Sequence, residues 1–474
     1  MPQPVFFTSM EEHMRRVRRI LKTLAALLGV AVVVGGGWLY VEPPELLLVG
    51  DGYAAKIVCS NVFLAGRDPD MVLSKDVQAP GNPLLRLVRI DVDRGEKRVT
   101  ARIMGLFAAN HAIYRGRLGC TTVPDGNFEA ARRAVPDEPA AAAPDNAIGV
   151  AADGVGNAKD ERIASLLARR DLIGKNMRAA VVVHDGHIIA EAYGKGFGPG
   201  TPLIGWSMTK TVNAAILGRL MMEGKIGLDD AGLLPQWRND RRAQIKLSDL
   251  LGMESGLAFN EDYGTVADVT RMLYLDPDQT ALPASLPMLT DPGKNFNYSS
   301  GTAVLISRIW MDRLGDEQTA LAYPQRALFG PLGMSSAVLE VDARGTFSGS
   351  SYLYATARDW ARFGQFLLQD GVWNGQRLLP EGFVGMMRTP TLTSNGAYTR
   401  LQAWVRPPGS TSGDAALPAD TFWLEGHDGQ SMAIVPSAKL VVVRLGLTPS
   451  WLKYRPQPLV RDVLAALPSG NQQP

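Results

Sequence analysis

One stretch near the N-terminus limits the architecture of this chain before anything else does. From Ile20 to Tyr40 the sequence is apolar except for Lys22 and Thr23. About 20 such residues suffice to cross a bilayer. A lone crossing segment must be a helix, because no water satisfies its backbone inside the hydrocarbon. Arg15, Arg16, Arg18 and Arg19 precede the run, and Trp38 and Tyr40 close it. Arginines on one flank and aromatics on the other predict a membrane helix over residues 20–40. Residues 1–19 then form a basic cytoplasmic end, and the rest of the chain lies beyond a bacterial-type inner membrane, in the periplasm. No clear Ala-x-Ala site follows, although Gly35-Gly36-Gly37 could serve one. An uncleaved single-pass anchor is therefore expected, with secretion after signal cleavage as the alternative. Either way Cys59 and Cys120, the two cysteines of 474 residues, would meet an oxidising compartment and could pair. The rival reading is two buried free thiols.

A chain that is 46% hydrophobic and 20% charged can bury a large core, and its length allows two or three domains. The formal net charge is +2, so there is no basic excess of the kind that nucleic-acid binding needs. The sequence holds neither a glycine-rich phosphate loop with its Gly-Lys-Ser/Thr ending nor a His-Glu-x-x-His zinc motif. Two cysteines exclude a cysteine-rich metal module.

Beyond the apolar run, residues 49–125 read as a small membrane-proximal segment, β-rich or α+β. Val88, Ile90 and Val92 alternate with polar partners there. No pattern in it carries chemistry, and His111 reads as a structural histidine. Residues 130–157 read as an extended linker, from Pro136-Asp137-Glu138-Pro139 and the alanines that follow. Residues 160–467 form the main domain. Ala180–Ala190 predicts a β-hairpin, because Asp185-Gly186 sits between two β-prone runs. Met432–Val435 and Leu440–Leu445 predict two more strands, joined through Pro436–Lys439, and a helix is expected over 459–467. Strands from both ends of the domain with helical segments between them predict an α+β fold. Its antiparallel sheet carries flanking helices and a helical subdomain.

Within this domain Ser207-Met208-Thr209-Lys210 opens a helical pattern of Val212, Ile216, Leu217, Leu220 and Met221. Positions three apart share a helix face, so Lys210 can reach the Ser207 hydroxyl. A serine attacks only when a base takes its proton. A lysine can be that base only if burial or nearby positive charge lowers its pKa. Two later stretches hold what this pair needs. Phe296-Asn297-Tyr298-Ser299-Ser300-Gly301 precedes another apolar helix. Its tyrosine could pass a proton to a leaving group, with a pKa that would have to fall from about 10. Gly426-His427-Asp428-Gly429-Gln430 leads into a strand, and its small residues let a backbone amide approach a reacting carbonyl.

In these three motifs and their order the chain resembles the class C β-lactamase-like serine hydrolases. That superfamily includes DD-peptidases, esterases and 6-aminohexanoate-dimer hydrolases. The stretches Leu250–Leu257 and Leu353–Gly364 look like the same family, and the resemblance covers residues 179–447. It implies Ser207 as nucleophile, Lys210 as the base or the group that tunes it, Tyr298 as proton shuttle, and the backbone amides of Ser207 and Gln430 as the oxyanion hole. It also implies an acyl-enzyme on Ser207 and no metal or organic cofactor. Ser300, His427 and Gly429 would meet the substrate. β-Lactamases of this class usually carry Tyr-x-Asn and Lys-Thr-Gly, where this chain has Ser300 and His427-Asp428-Gly429. An esterase or amidase acting on a small-molecule ester or amide is therefore expected, with little β-lactam turnover. The alternative is a non-catalytic, penicillin-binding-like envelope protein that recognises cell-wall peptides.

Overall fold

The computed structural model describes residues 6–79, 81–133 and 160–468. Most of the expected linker lies outside the described residues. Its first four, 130–133, belong to the short helix Phe128–Arg133.

Helix α1, Phe6–Val41, runs through the arginines and the apolar stretch as one element. Its portion Glu12–Val41 is long and apolar enough to cross a membrane, and its apolar window is wholly unburied. Helix α2, Glu45–Phe63, follows after Pro43 and Pro44. It passes the same test of length and hydropathy, but 67% of its apolar window is buried inside the protein. It is a core helix. It packs on an antiparallel sheet of four strands in sequential order: β1 (Val88–Asp93), β2 (Arg98–Ile103), β3 (Phe107–Tyr114) and β4 (Cys120–Thr122). Cys59 of α2 and Cys120 of β4 are joined by a disulfide, with Cα atoms 6.0 Å apart.

The main sheet has five antiparallel strands. β5 (Met177–His184) and β6 (His187–Tyr193) form a hairpin, in which Asp185 and Gly186 both take positive φ. That is the backbone a tight two-residue turn demands, which Asp-Gly supplies at little cost. After them come helix α3 (Met208–Met222), helix α4 (Ser300–Asp312) and the amphipathic helix α5 (Ala357–Leu368), which lies across the sheet. The chain then returns as β7 (Phe422–Gly426), β8 (Gln430–Val435) and β9 (Leu440–Gly446), and ends in α6 (Gln457–Ala466). The spatial order is β7-β8-β9-β5-β6, so strands from both ends of the region share one sheet. The central strands β5, β8 and β9 are almost continuously buried, covered on both faces, which is why they read as apolar runs rather than alternating ones. The architecture is an α+β fold, an antiparallel sheet with flanking helices.

Residues 45–133 are packed into this fold rather than set apart from it. Val49, Ala54, Val58, Val99 and Ala101 share one apolar core with Ile204, Trp206, Met272, Leu273, Val304 and Tyr352. Buried polar bonds cross the same boundary. Lys56 pairs with Glu340, which also accepts from Ser60 Oγ at 2.9 Å and Cys120 N at 2.6 Å. Asn110 Nδ2 donates to Tyr274 O at 2.9 Å. Buried groups of this kind are costly unless partnered, so each one fixes the register between the two parts.

Candidate active site

Ser207 caps α3, at the end of a turn that leaves the short strand Leu203–Ile204. Trp206 takes φ 48°, a left-handed conformation that costs a bulky residue energy and persists only where its surroundings enforce it. Here the Gly205 amide donates to Leu353 O at 2.9 Å, and Trp206 is itself buried. Ser207 stays partly exposed. One turn on, Lys210 is 1% exposed, because α3 is buried on nearly every side. Its Nζ reaches three oxygens: Ser207 Oγ at 3.0 Å, Ser300 Oγ at 3.0 Å and Ser350 O at 3.1 Å. An ammonium fills three such positions with three donors. A neutral amine keeps two of them and turns a lone pair to the third. Burial pushes the Lys210 pKa down to about 8 from 10.5, and the Glu261 carboxylate opposes part of that fall.

Tyr298 precedes α4, whose first turn is capped by Ser299 accepting from Thr302 N at 2.9 Å. Asn213 staples α4 to α3, donating to Ala303 O at 2.9 Å and accepting from Trp310 Nε1 at 2.8 Å. Ser207 lies close enough to Tyr298 to act on its hydroxyl, and Lys210 Nζ lies 4.8 Å from the centre of its ring. Sequence reasoning expected the tyrosine pKa to fall. It rises instead, because desolvation comes first and the Glu261 charge adds to it, while Ser207 only partly opposes them. Tyr298 is therefore a neutral phenol, a donor rather than a base.

The third motif arrives from β7. A Cβ on Gly426 would stand 2.2 Å from Gly205 O, so only glycine lets the end of this strand touch the turn before Ser207. His427, Asp428 and Gly429 then turn back into β8, and Gly426 pairs with Gln430 across the hairpin. The Gln430 side chain holds this loop, donating to His427 O and Gly446 O at 2.8 Å each and accepting from Gly446 N at 2.8 Å. The exposed His427 ring stacks on Tyr263 with centroids 5.2 Å apart and meets Trp206 edge-on at 5.7 Å.

Two residues occupy places other than those expected. Ser300 is fully buried, accepting from Lys210 and donating its hydroxyl to Glu261, so it holds the lysine rather than meeting a substrate. Gly429 turns its carbonyl to the Arg444 guanidinium at 2.8 Å, and a Cβ there would meet Arg444, Tyr454 and Thr448. It shapes the loop from its inner side. Sequence reasoning missed Glu261, which also accepts from Ser300 N at 2.7 Å, and Tyr263, whose hydroxyl is 3.4 Å from Ser300 Oγ. Neither lies in a periodic segment, and nothing local marks them.

A cavity of about 280 Å³ adjoins this constellation. Trp206, Tyr263, His427 and Asp428 line one part of it, and Trp206 directly precedes the partly exposed Ser207. Asp428 has its carboxyl 3.4 Å from His427 Nε2, and burial raises its pKa.

Comparison with known proteins agrees with the geometry. The model of the Beta-lactamase family matches residues 169–466, well over half of the chain. The chain belongs to the β-lactamase family. Similar proteins include Protein Rv1367c of Mycobacterium tuberculosis, 30% identical over 239 residues, which are 40% of this chain and 59% of that protein. The chain thus spans about 59% of the length of that relative. A 6-aminohexanoate-dimer hydrolase of Paenarthrobacter ureafaciens is 25% identical over 303 residues, 57% of this chain and 72% of the relative. Among solved structures, the hydrolase EstCE1 superposes with a TM-score of 0.52 at 17% identity, covering 66% of this chain and 99% of its own. A penicillin-binding protein homolog from Caulobacter crescentus gives 0.51 at 15% identity, covering 65% and 97%. At these identities the two structures speak for the fold.

Proposed function

We propose that this family member is a membrane-tethered serine hydrolase that cleaves carboxylic esters or short amides through an acyl-enzyme on Ser207. The observation that carries this reading is the buried Lys210 amine, 3.0 Å from Ser207 Oγ, with its pKa brought down to about 8. A group poised near the working pH combines a populated basic form with useful proton affinity. Neutral Lys210 takes the Ser207 proton as Oγ attacks the substrate carbonyl carbon. The amides of Ser207 and Gln430 hold the oxyanion at the positive end of α3. The neutral Tyr298 phenol gives its proton to the leaving oxygen or nitrogen and recovers one from Lys210. Water then attacks the acyl carbonyl by the reverse proton route and frees Ser207.

Helix α1 would anchor the enzyme with the catalytic part on the periplasmic side, in keeping with the arginines of its N-terminal half. With His427 in place of a lysine, and no side-chain amide at buried Ser300, the substrate is an ester or amide rather than a β-lactam.

The test is a panel of p-nitrophenyl esters, short amides and nitrocefin, run on wild type and Ser207→Ala. Ester turnover that vanishes in Ser207→Ala, with little nitrocefin turnover in either protein, is expected. Rapid nitrocefin hydrolysis would overturn the substrate assignment. Absence of turnover by folded wild type would favour a penicillin-binding-like recognition protein.

A further inference from the structure

The cavity beside the catalytic trio has two ends of different chemistry. At one end stand Trp206, Tyr263, His427 and Asp428. Tyr263 is one hydroxyl away from Lys210, through Ser300. The other end is made by Leu46, Leu47, Val49, Leu84, Leu85 and Ile103. Those six residues lie outside the 169–466 segment that the family shares, so this half of the chamber belongs to the N-terminal part of this chain.

Part of the cavity lining is both apolar and exposed. Leu46, Leu84 and Trp451 line the cavity and are exposed, Trp451 by 66%. Leu87, Met104 and Leu106 are exposed as well, and Met104 N donates to Leu87 O at 2.7 Å, which puts them side by side. Leu106 immediately precedes β3, the strand that α1 packs against. Neighbouring exposed apolar residues mark a surface that meets something apolar. Here they gather near the segment that is long and apolar enough to cross a membrane.

We propose that this cavity receives the hydrocarbon tail of an amphiphilic acyl ester, holding it while Ser207 attacks the ester carbonyl at the polar end. This rests on the hydrolase reading above and names its substrate class. At about 280 Å³ the cavity lies near the lower end of small-ligand pockets, so a tail of medium length fits it.

The experiment uses the full chain in phosphatidylcholine nanodiscs, with 4-methylumbelliferyl esters from acetate to dodecanoate. Burying one methylene strengthens binding by up to about fourfold, so kcat/KM rises by up to that factor per carbon and levels off within the series. Leu47→Trp, which fills the apolar end, should lower the octanoate-to-acetate ratio at least tenfold. Leu84→Asp at the exposed rim should lower the same ratio, and its solvent-facing position protects the fold if Leu47→Trp does not fold. Acetate turnover that depends on Ser207, with a flat or falling chain-length profile, overturns the tail site and leaves the hydrolase reading intact. If no ester turns over, the hydrolase reading fails. The cavity is then read by binding of dansylaminoundecanoic acid to Ser207→Ala: saturable binding weakened by Leu47→Trp supports the tail site, and its absence overturns it.

Discussion

Replacing Glu261 by glutamine removes a charge from the lysine's surroundings while keeping an oxygen that can accept from Ser300. Ser300 Oγ stands between the Glu261 carboxylate and Lys210 Nζ. The two charges are therefore about two hydrogen-bond lengths apart, roughly 5 Å. At that separation their attraction amounts to about 2–3 kcal/mol for an effective dielectric of about 20–40, or roughly one to two pH units on the Lys210 titration. Glu261 favours the charged amine, so it acts against the burial that brings Lys210 to about 8. The sign follows. In wild type kcat/KM rises with pH through an ionisation near 8, as Lys210 loses its proton. In Glu261→Gln the same limb moves down by roughly one to two units, and the variant gains relative activity near pH 6.5. The assay is kcat/KM for a p-nitrophenyl ester from pH 5.5 to 9.5, corrected for spontaneous hydrolysis. A looser Ser300 could lower the plateau rate, but it would not move the limb toward acid. A limb that stays in place, or moves toward alkali, would refute the assignment of Lys210 as the titrating base.

Two further outcomes follow from the packing. Gly426→Ala forces a methyl against Gly205 O, which must displace either β7 or the turn before Ser207. A displacement near 1 Å in an active site can cost about 100-fold, so ester turnover should fall by that order while the melting transition stays cooperative. Full activity in this variant would mean that the glycine loop does not position the catalytic serine. Cys59→Ser with Cys120→Ser opens a cross-link between residues 61 apart in sequence, worth about 4 kcal/mol in the chain-entropy picture. Urea titration of this variant should show that loss, and reduced wild type should match it. Equal stability with and without reductant would contradict a structural role for the bridge.

The parts of the molecule that sequence alone revealed are those specified by local pattern. Asp185-Gly186 between apolar runs can hardly be anything but a tight hairpin, and the apolar blocks of β8 and β9 belong to strands covered on both faces. Ser207 and Lys210 are readable as a pair because helical spacing alone brings them together. What stayed hidden depends on contacts between distant residues. Lys56 meets Glu340 across 284 positions, and no local signal announces that α2 is buried in the same core as Trp206 and Tyr352. For that reason residues 49–125 looked like a separate membrane-proximal segment without chemistry, although eight of the cavity's twenty lining residues lie in it. Glu261 and Tyr263 sit in a stretch without regular structure, and their place beside Ser300 is set only when α4 docks. The rise of the Tyr298 pKa was equally hidden. It comes from desolvation and from Glu261, and the sequence shows neither.

The most direct measurement is covalent labelling of the full chain with a fluorophosphonate, followed by peptide mapping by mass spectrometry. If Lys210 makes Ser207 nucleophilic, a single adduct appears on the peptide carrying Ser207. Its rate of formation climbs with pH through an ionisation near 8, and Ser207→Ala carries no adduct. Folded wild-type protein that stays unlabelled from pH 6 to 9, or an adduct on another serine that persists in Ser207→Ala, would contradict this chemistry.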